Sequence, residues 1–226
     1  MSLADYQTRT MGLTRDDAGK LSSSDRDDAI AAAVSRYGQD RPRQRVDDIT
    51  AVTANLLPLP AQWQADYSLI VALEHPVGAV PPTLLGPERY GMYRDAAQAE
   101  SIMLFDAVAV GANVRCTYTV RHVVDGATDT IRVEDREAVC CWAAALLCDQ
   151  LSSLYSNSGD STIQVDSVDH TSRARDYASR AKTLRQRYYD ALGIDPKKNV
   201  AAGTTVNWDA YDSRGRDRLT HSKRYR

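Results

Sequence analysis

The feature that most constrains the fold is an uncharged, largely apolar run between Ala138 and Cys148. With its charged start at residues 134–137 and its continuation to residue 155, the segment has the length of about six helical turns. A helix that is apolar on nearly all sides is a buried helix. Spacings of three and four residues predict one core face, formed by Val139, Trp142, Leu146, Leu147, Leu151, Leu154 and Tyr155.

A second helix is predicted over residues 170–192, followed by Gly193 at a position that suits a left-handed helix end. Its apolar stripe consists of Ala174, Tyr177, Ala181, Leu184, Tyr188 and Leu192. An antiparallel pair of this kind cannot cover its own apolar surface. It therefore requires a third helix or another subunit.

The third helix is predicted in the segment DRDDAIAAAVSRYG, where Ile30, Ala33, Val34 and Tyr37 share one face. Ser24 and Asp27 have the spacing of a capping box, and Gly38 is predicted to end the helix. Residues 2–12 predict a further short helix at the N-terminus.

A β-rich region is predicted between these helices, because six prolines within residues 58–87 exclude long helices there. Apolar and polar residues alternate over residues 67–74 and 114–121, as in strands with one buried face. Weaker strand patterns cover residues 46–52 and 102–110. Asp125-Gly126 predicts a turn, after which residues 130–133 are expected to return as a partner strand.

These patterns predict an α+β fold, in which a small helical bundle carries an inserted antiparallel β-sheet or small barrel and an extended C-terminal tail. The predicted domains are a discontinuous helical bundle at residues 1–46 and 134–193, a β-rich insertion at residues 47–133, and a basic tail at residues 194–226. Residues 197–226 of this tail contain eight Lys or Arg residues and three Asp residues. Its aromatic residues indicate a segment that folds onto a partner.

The sequence gives no support for catalysis. The four histidines lie on separate predicted elements, the cysteines form no CxxC pair, and no phosphate-binding loop or nucleophile motif occurs. We therefore expect no enzyme activity, no metal and no cofactor, and we interpret Cys116, Cys140, Cys141 and Cys148 as buried packing residues. No window is expected to approach the length of a membrane span and no signal peptide is recognised, so we expect cytoplasmic synthesis without membrane contact.

The charge distribution is asymmetric. From residue 170 onward there are fourteen Lys or Arg residues and six Asp residues, a net charge of +8, whereas residues 1–169 carry −10. On the second long helix Arg173, Arg180 and Arg187 recur every seven residues and predict a basic face. This face is either simply solvated or contacts nucleic acid or an acidic subunit.

The order of these parts carries a resemblance to a known family. An N-terminal helix DRDDAIAAAVSRYGQDRPR, a β insertion containing NVRCTYTVRH, the segment EAVCCWAAALLCDQLSSLYSNSGDS and the helix SRARDYASRAKTLRQRYYDALG together resemble the head-to-tail adaptor (connector, head-completion) proteins of tailed bacteriophages. The likeness covers most of residues 20–193. The large β insertion departs from the smaller adaptors.

The resemblance implies a virion protein that forms a ring, commonly of twelve copies, between the portal protein and the next neck or tail protein, with double-stranded DNA passing through the lumen. It also implies a C-terminal segment that reaches the portal. We assign that contact, or contact with a neighbouring subunit, to Lys197, Lys198, Trp208, Tyr211, Arg214, Arg216, Arg218, Arg224 and Tyr225.

Two alternatives remain open from the sequence. A nucleic-acid-binding accessory protein would use the basic C-terminal region, and its affinity for DNA would fall steeply with salt. The second alternative is a cysteine-dependent enzyme, and the presence of the four cysteines is the only observation that supports it.

Overall fold

The computed structural model describes residues 1–16, 18–157 and 170–197. Four helices are present in this part of the chain: α1 at Leu3–Thr14, α2 at Ser23–Asp40, α3 at Arg136–Asn157 and α4 at His170–Leu192. The seven strands are β1 at Arg43–Thr50, β2 at Leu56–Leu57, β3 at Ile70–Glu74, β4 at Leu84–Leu85, β5 at Tyr90–Arg94, β6 at Glu100–Leu104 and β7 at Asn113–Val120. The predicted α+β class is confirmed.

The strands form two sheets. One has the order β1-β7-β3-β4, and the other has the order β2-β6-β5. In the second sheet β6 lies in the middle, with Ile102 antiparallel to Leu57 on one side and to Met92 on the other. Both sheets are antiparallel, as predicted.

The contacts within the described chain divide it into two compact units. Unit 1 contains residues 1–46, 61–71 and 117–197, and it includes all four helices. Unit 2 contains residues 47–60 and 72–116. The predicted domain boundaries at residues 46, 133 and 193 stay a prediction.

Helix α3 is the centre of unit 1, and α1, α2 and α4 all pack against it. Its residues Val139, Ala143 and Leu147 are fully buried, as expected for a helix that is apolar on most sides. Tyr188 and Leu192 of α4 join the same core, together with Tyr37 of α2. The predicted three-helix packing is therefore confirmed, although Leu154 on the predicted core face is 43% exposed.

Buried polar side chains fix how these helices meet. The Tyr37 hydroxyl donates to the Asp135 carboxylate at 2.7 Å, and the Arg41 guanidinium pairs with the same carboxylate at 3.2 Å. The Tyr188 hydroxyl donates to Asp40 at 2.6 Å. A carboxylate buried without a partner destabilises the folded state. These contacts therefore favour the one arrangement of α2 against the α3–α4 pair in which both carboxylates keep their partners.

Helix α3 also has the length and composition of a membrane span. An 18-residue window within Val133–Ser156 is apolar enough to cross a membrane, so the expectation that no window approaches a span is wrong. Alanine and cysteine raise the hydropathy without adding large side chains. Because 61% of this window is buried inside the protein, its apolar composition is that of a core helix.

Three local predictions are corrected by the structure. The capping box of α2 is formed by Ser22 and Asp25, two residues before the predicted pair Ser24 and Asp27. The helix also continues past Gly38 to Asp40. The Tyr67 hydroxyl donates to the Gly38 carbonyl at 3.1 Å, and a Cβ at Gly38 would lie only 2.9 Å from that hydroxyl. Glycine at this position therefore allows Tyr67 to approach the helix backbone closely.

The predicted strand at residues 130–133 is absent from the described structure. The turn at Asp125-Gly126 has an isolated bridge between Val124 and Asp129, and the Thr130 amide also donates to the Val123 carbonyl at 3.1 Å. A short 3₁₀ helix then follows at Val133–Asp135. The Thr130 hydroxyl accepts from the Val123 amide at 2.9 Å, so the side chain takes the donor that a second backbone bond between these residues would use.

Candidate functional site

A basic cleft in unit 1 contains part of the predicted basic helix face. It has a volume of about 510 Å³, and it lies where the C-terminal ends of α1 and α3 meet the first half of α4. Its lining residues are Arg15, Ala18, Tyr155, Arg173, Asp176, Tyr177 and Arg180.

The spacing of α4 explains why its four lining residues share one wall. Arg173, Asp176, Tyr177 and Arg180 follow one another at three, one and three residues, which places them along two turns of one helix side. The next stripe of the helix, which includes Ala181 and Leu184, is buried in the core.

Two stacked tyrosines join α3 and α4 at this cleft. The rings of Tyr155 and Tyr177 are nearly parallel, with an interplanar angle of 3° and a centroid distance of 5.6 Å. The Tyr177 hydroxyl donates to the Arg15 carbonyl at 3.4 Å. Arg15 is the C-cap of α1 and has a left-handed backbone with φ of 50°. The aromatic pair therefore ties three chain segments together beneath the arginines.

The electrostatic character of the cleft is positive. Its lining contains three guanidinium groups and one carboxylate. Within the described residues no ion pair involves Arg15, Arg173 or Arg180. Arginine is suited to bidentate binding of phosphate or carboxylate. The cleft can therefore hold an anionic group.

The predicted site residues have different positions in the structure. Arg173 and Arg180 line the cleft, whereas Arg187 is exposed on α4 outside its lining. Of the predicted tail residues Lys197 is described and exposed. The others, Lys198, Trp208, Tyr211, Arg214, Arg216, Arg218, Arg224 and Tyr225, lie outside the described residues.

Sequence reasoning missed Arg15 and the pairing of Tyr155 with Tyr177. Both tyrosines were assigned only to helix core faces. Pairing the two long helices as an antiparallel hairpin places the end of α3 beside the beginning of α4, and this was the signal for the aromatic pair. Arg15 follows the first helix and carries no local pattern that links it to α4.

The cysteines have the environment of packing residues. All four are buried and unpaired with one another. Burial raises the pKa of the Cys116 thiol to about 12, and it raises those of Cys140 and Cys148 to about 11. These shifts disfavour the thiolate that a cysteine nucleophile requires. Within the described residues no group of three or more His, Cys, Asp or Glu side chains has the arrangement of a metal site.

His75 and His122 bind backbone carbonyls. His122 places Nε2 at 2.9 Å from the Arg41 carbonyl and Nδ1 at 3.1 Å from the Thr130 carbonyl. His75 places Nδ1 at 3.2 Å from the Asn113 carbonyl. These bonds give both side chains a role in holding loops to neighbouring elements.

Comparisons with known proteins give the following result. No family model and no curated protein matches the chain. The chain is similar to the neck of a native gene transfer agent (GTA) particle computed with C12 symmetry, at 13% identity and a TM-score of 0.26, covering 78% of this chain and 92% of that chain. The chain is also similar to the neck of an empty GTA particle computed with C6 symmetry, at 14% identity and a TM-score of 0.28, covering 78% of this chain and 88% of that chain.

A third similar structure is the virion of a native GTA particle, at 14% identity and a TM-score of 0.26, covering 78% of this chain and 88% of that chain. TM-scores in this range do not establish a shared fold, so these similarities carry no argument about function.

Proposed function

We propose that the protein is a structural adaptor of a tailed-phage neck. In this proposal it forms a ring of twelve copies between the portal and the next neck or tail protein, and double-stranded DNA passes through the lumen. It acts in the virion and catalyses no reaction. The resemblance of the sequence to the adaptor family supports this proposal.

The observation that carries the proposal is the apolar surface of unit 2. Val80 is 96% exposed, and six more large apolar side chains of this unit are also exposed: Val52, Leu84, Met92, Tyr93, Phe105 and Val110. Single exposed apolar residues are ordinary, but so many in about sixty residues are typical of a surface that another protein covers. A protein built for assembly explains this surface better than a monomer does.

The charge distribution supports contacts between copies. Residues 1–169 carry −10 and the remainder carries +8. Two surfaces of opposite charge allow a copy to bind its neighbour through different patches, and such heterologous contacts close into a ring when the rotation per copy permits. The exposed residues Arg173, Arg175 and Arg187 of α4 supply positive charge on the described part of unit 1.

The basic C-terminal segment is assigned to the portal or a neighbouring copy. A lumen that binds DNA tightly would hinder DNA passage, since each neutralised phosphate adds affinity. A protein contact therefore explains the eight basic residues of this segment better than a contact with DNA in the lumen.

The test is the mass of the full chain, alone and mixed with its portal protein, measured by native mass spectrometry. The proposal expects a ring of twelve copies or its stable assembly on the portal. A chain that stays monomeric at every concentration and does not bind the portal would refute it. Replacing Val80 and Phe105 by Ser is expected to weaken assembly, and replacing Ala178 and Ser179, which are also exposed but lie on α4, by Asn serves as the control.

The basic cleft favours a second candidate function, which is binding of nucleic acid through the phosphate backbone. Three arginines with no ion pair among the described residues line this cleft. Replacing Arg173 and Arg180 by Glu is expected to abolish retention of the chain on DNA at low salt. Replacing Arg175 and Lys182 by Glu makes the same charge change at exposed positions outside the cleft, and it is expected to reduce retention much less. Equal losses in both variants would exclude a specific role for the cleft.

A further inference from the structure

Strand β5 is an open edge of the smaller sheet in unit 2. The sheet has the order β2-β6-β5, so β5 pairs with β6 on one side, and the described residues place no strand on its other side. The register joins Tyr90 to Leu104 and Arg94 to Glu100, which means that all five residues of β5 are paired with β6. An open edge presents backbone donors and acceptors to an extended chain that reaches it.

The direction of each backbone group on β5 follows from the bond at its start. The Phe105 amide donates to the Arg89 carbonyl at 2.9 Å, in the register of the sheet. Bonded residues alternate along an antiparallel strand. Arg89 and every second residue after it therefore bond toward β6, whereas the amide and carbonyl groups of Tyr90 and Met92 point to the open side.

The other three sheet edges of the described structure carry features that discourage pairing with another chain. Strands β2 and β4 contain two residues each, with Pro58 directly after β2 and Pro87 two residues after β4. Strand β1 carries two arginines and two aspartates among its eight residues. Strand β5 has five residues, YGMYR, with no proline and with one charge at its end. Among the described edges it is therefore the best suited to accept a strand.

Both faces of β5 expose apolar side chains beside this edge. Met92 and Tyr93 are exposed, and because they are adjacent on a strand they lie on opposite faces of the sheet. Phe105 is also exposed, and its ring lies 3.5 Å from the position that a Cβ of Gly91 would occupy. Gly91 has no side chain, so the strand has an open position beside the Phe105 ring that a side chain from another strand can cover.

The sequence of β5 is complementary to itself. Two β5 strands placed antiparallel with Met92 opposite Met92 have all five residues of each strand paired. In this register the outward amide and carbonyl groups of the two Met92 residues bond to each other across a two-fold axis. Tyr90 of one copy lies opposite Arg94 of the other, so a guanidinium meets an aromatic ring and not a like charge.

The same register covers the open position at Gly91. Tyr93 of each copy lies opposite Gly91 of the other, beside the Phe105 ring, so an aromatic side chain covers each glycine. The pairing therefore accounts for Met92, Tyr93 and Phe105, three of the exposed apolar side chains of unit 2.

We propose that β5 pairs with β5 of a second copy of the chain, which joins two three-stranded sheets into one sheet of six strands. The contact is isologous, since both copies use the same residues. Two five-residue strands form a smaller contact than a standard interface of about 1,600 Å², so the pair is reversible and depends on protein concentration. The inference concerns the free chain and does not rest on the neck function, whose ring contacts are heterologous.

Disulfide trapping in the full chain tests the pairing. Across a hydrogen-bonded antiparallel pair the Cα atoms are about 5.5 Å apart, which is within the range of disulfides. Oxidation of the Met92→Cys variant is expected to give a disulfide-linked dimer in at least fivefold higher yield than oxidation of Leu84→Cys. Leu84 is the matched control, because it is an exposed apolar residue of the edge strand β4. Equal yields from the two variants would overturn the proposal.

A mixture of two variants tests the register. Position 91 of one copy lies about 4.5 Å from position 93 of the other between Cα atoms, whereas like positions lie on a diagonal of about 7–8 Å, too far for a disulfide. A tagged Gly91→Cys chain mixed with an untagged Tyr93→Cys chain is therefore expected to give mainly mixed dimers. Mainly unmixed dimers would overturn the register centred on Met92.

Hydrogen exchange of the unmodified chain identifies the source of the strand. The Tyr90 amide points to the open side, so it is expected to exchange several-fold more slowly in a concentrated solution than in a dilute one. Rapid exchange at every concentration would overturn the pairing. Protection that does not change with concentration would show that a segment of the same chain covers the edge, and it would overturn the assignment to a second copy.

A proline on the open edge gives a further test of the same contact. Met92→Pro removes an outward amide without removing a bond to β6, a position at which strands tolerate proline. This variant is expected to lose the concentration dependence of Tyr90 exchange, whereas Met92→Val, which keeps the amide, is expected to retain it. Retention in both variants would contradict the proposed bonds at Met92.

Discussion

Removal of the Tyr37 hydroxyl tests the buried polar network that joins α2 to the α3–α4 pair. In Tyr37→Phe, Asp135 loses the bond of 2.7 Å from the hydroxyl and keeps the ion pair of 3.2 Å with Arg41. Tyr37 is 1% exposed, so water cannot easily replace the lost donor. Hydrogen bonds to charged groups contribute about 1.5–3 kcal/mol, and we expect a loss of about 2 kcal/mol in the free energy of unfolding.

Tyr67→Phe is the matched control. It removes the same atom, but the Tyr67 hydroxyl donates to a neutral carbonyl, that of Gly38, at 3.1 Å in a partly exposed position. Neutral hydrogen bonds contribute about 0.5–1.5 kcal/mol, so the control is expected to lose about 1 kcal/mol.

The assay is urea unfolding followed by far-ultraviolet circular dichroism at 222 nm, which reports on the four helices of unit 1. With a slope of about 2 kcal/mol per molar urea, Tyr37→Phe is expected to lower the midpoint by about 1 M and the control by about 0.5 M. A Tyr37→Phe midpoint equal to that of the control, or a shift within about 0.2 M of the unmodified protein, would refute the importance assigned to the Asp135 contact.

Three further predictions follow from burial and from the tail assignment. Burial, and then the bond to Asp135, raises the pKa of Tyr37 from 10.0 to about 12. A folded pKa above the unfolded value means that this contribution to stability is complete below pH 10 and is lost as the pH rises from 10 to 12, which alkaline unfolding curves will show. The four buried thiols are expected to react with a thiol reagent at pH 8 only after unfolding, and rapid labelling of the native chain would contradict this. Deletion of residues 197–226 is expected to leave the circular dichroism spectrum of the helices intact and to abolish portal binding; loss of helical signal would show that the boundary is misplaced.

The helical part of the fold was largely predictable, because apolar residues that recur every three or four positions identify the buried face of a helix. The limits of α4 at His170 and Leu192 and the left-handed Gly193 agree with the sequence prediction. One error arises because a tertiary contact overrides a local signal. Gly38 has the pattern of a helix end, yet the approach of Tyr67 from a distant segment explains it.

The β-rich region was predictable in type more than in detail. Strand β7 was recognised because apolar and polar residues alternate along it, and its burial follows that alternation from Asn113 to Tyr118. Strands β2 and β4 contain two residues each, too few to produce a period that the sequence can show. The basic cleft was half predictable for a related reason, since helix periodicity places Arg173 and Arg180 together while Arg15 reaches the site only through packing of α1.

The most direct test of the proposed neck function is the position of the chain in an assembled particle. Particles that carry an epitope tag on this chain, decorated with an antibody fragment and imaged by electron cryomicroscopy, are expected to show the label as a ring at the junction of capsid and tail, with one label per subunit of a twelvefold ring. Label spread over the capsid shell or along the tail, or purified particles that lack the chain, would contradict the account.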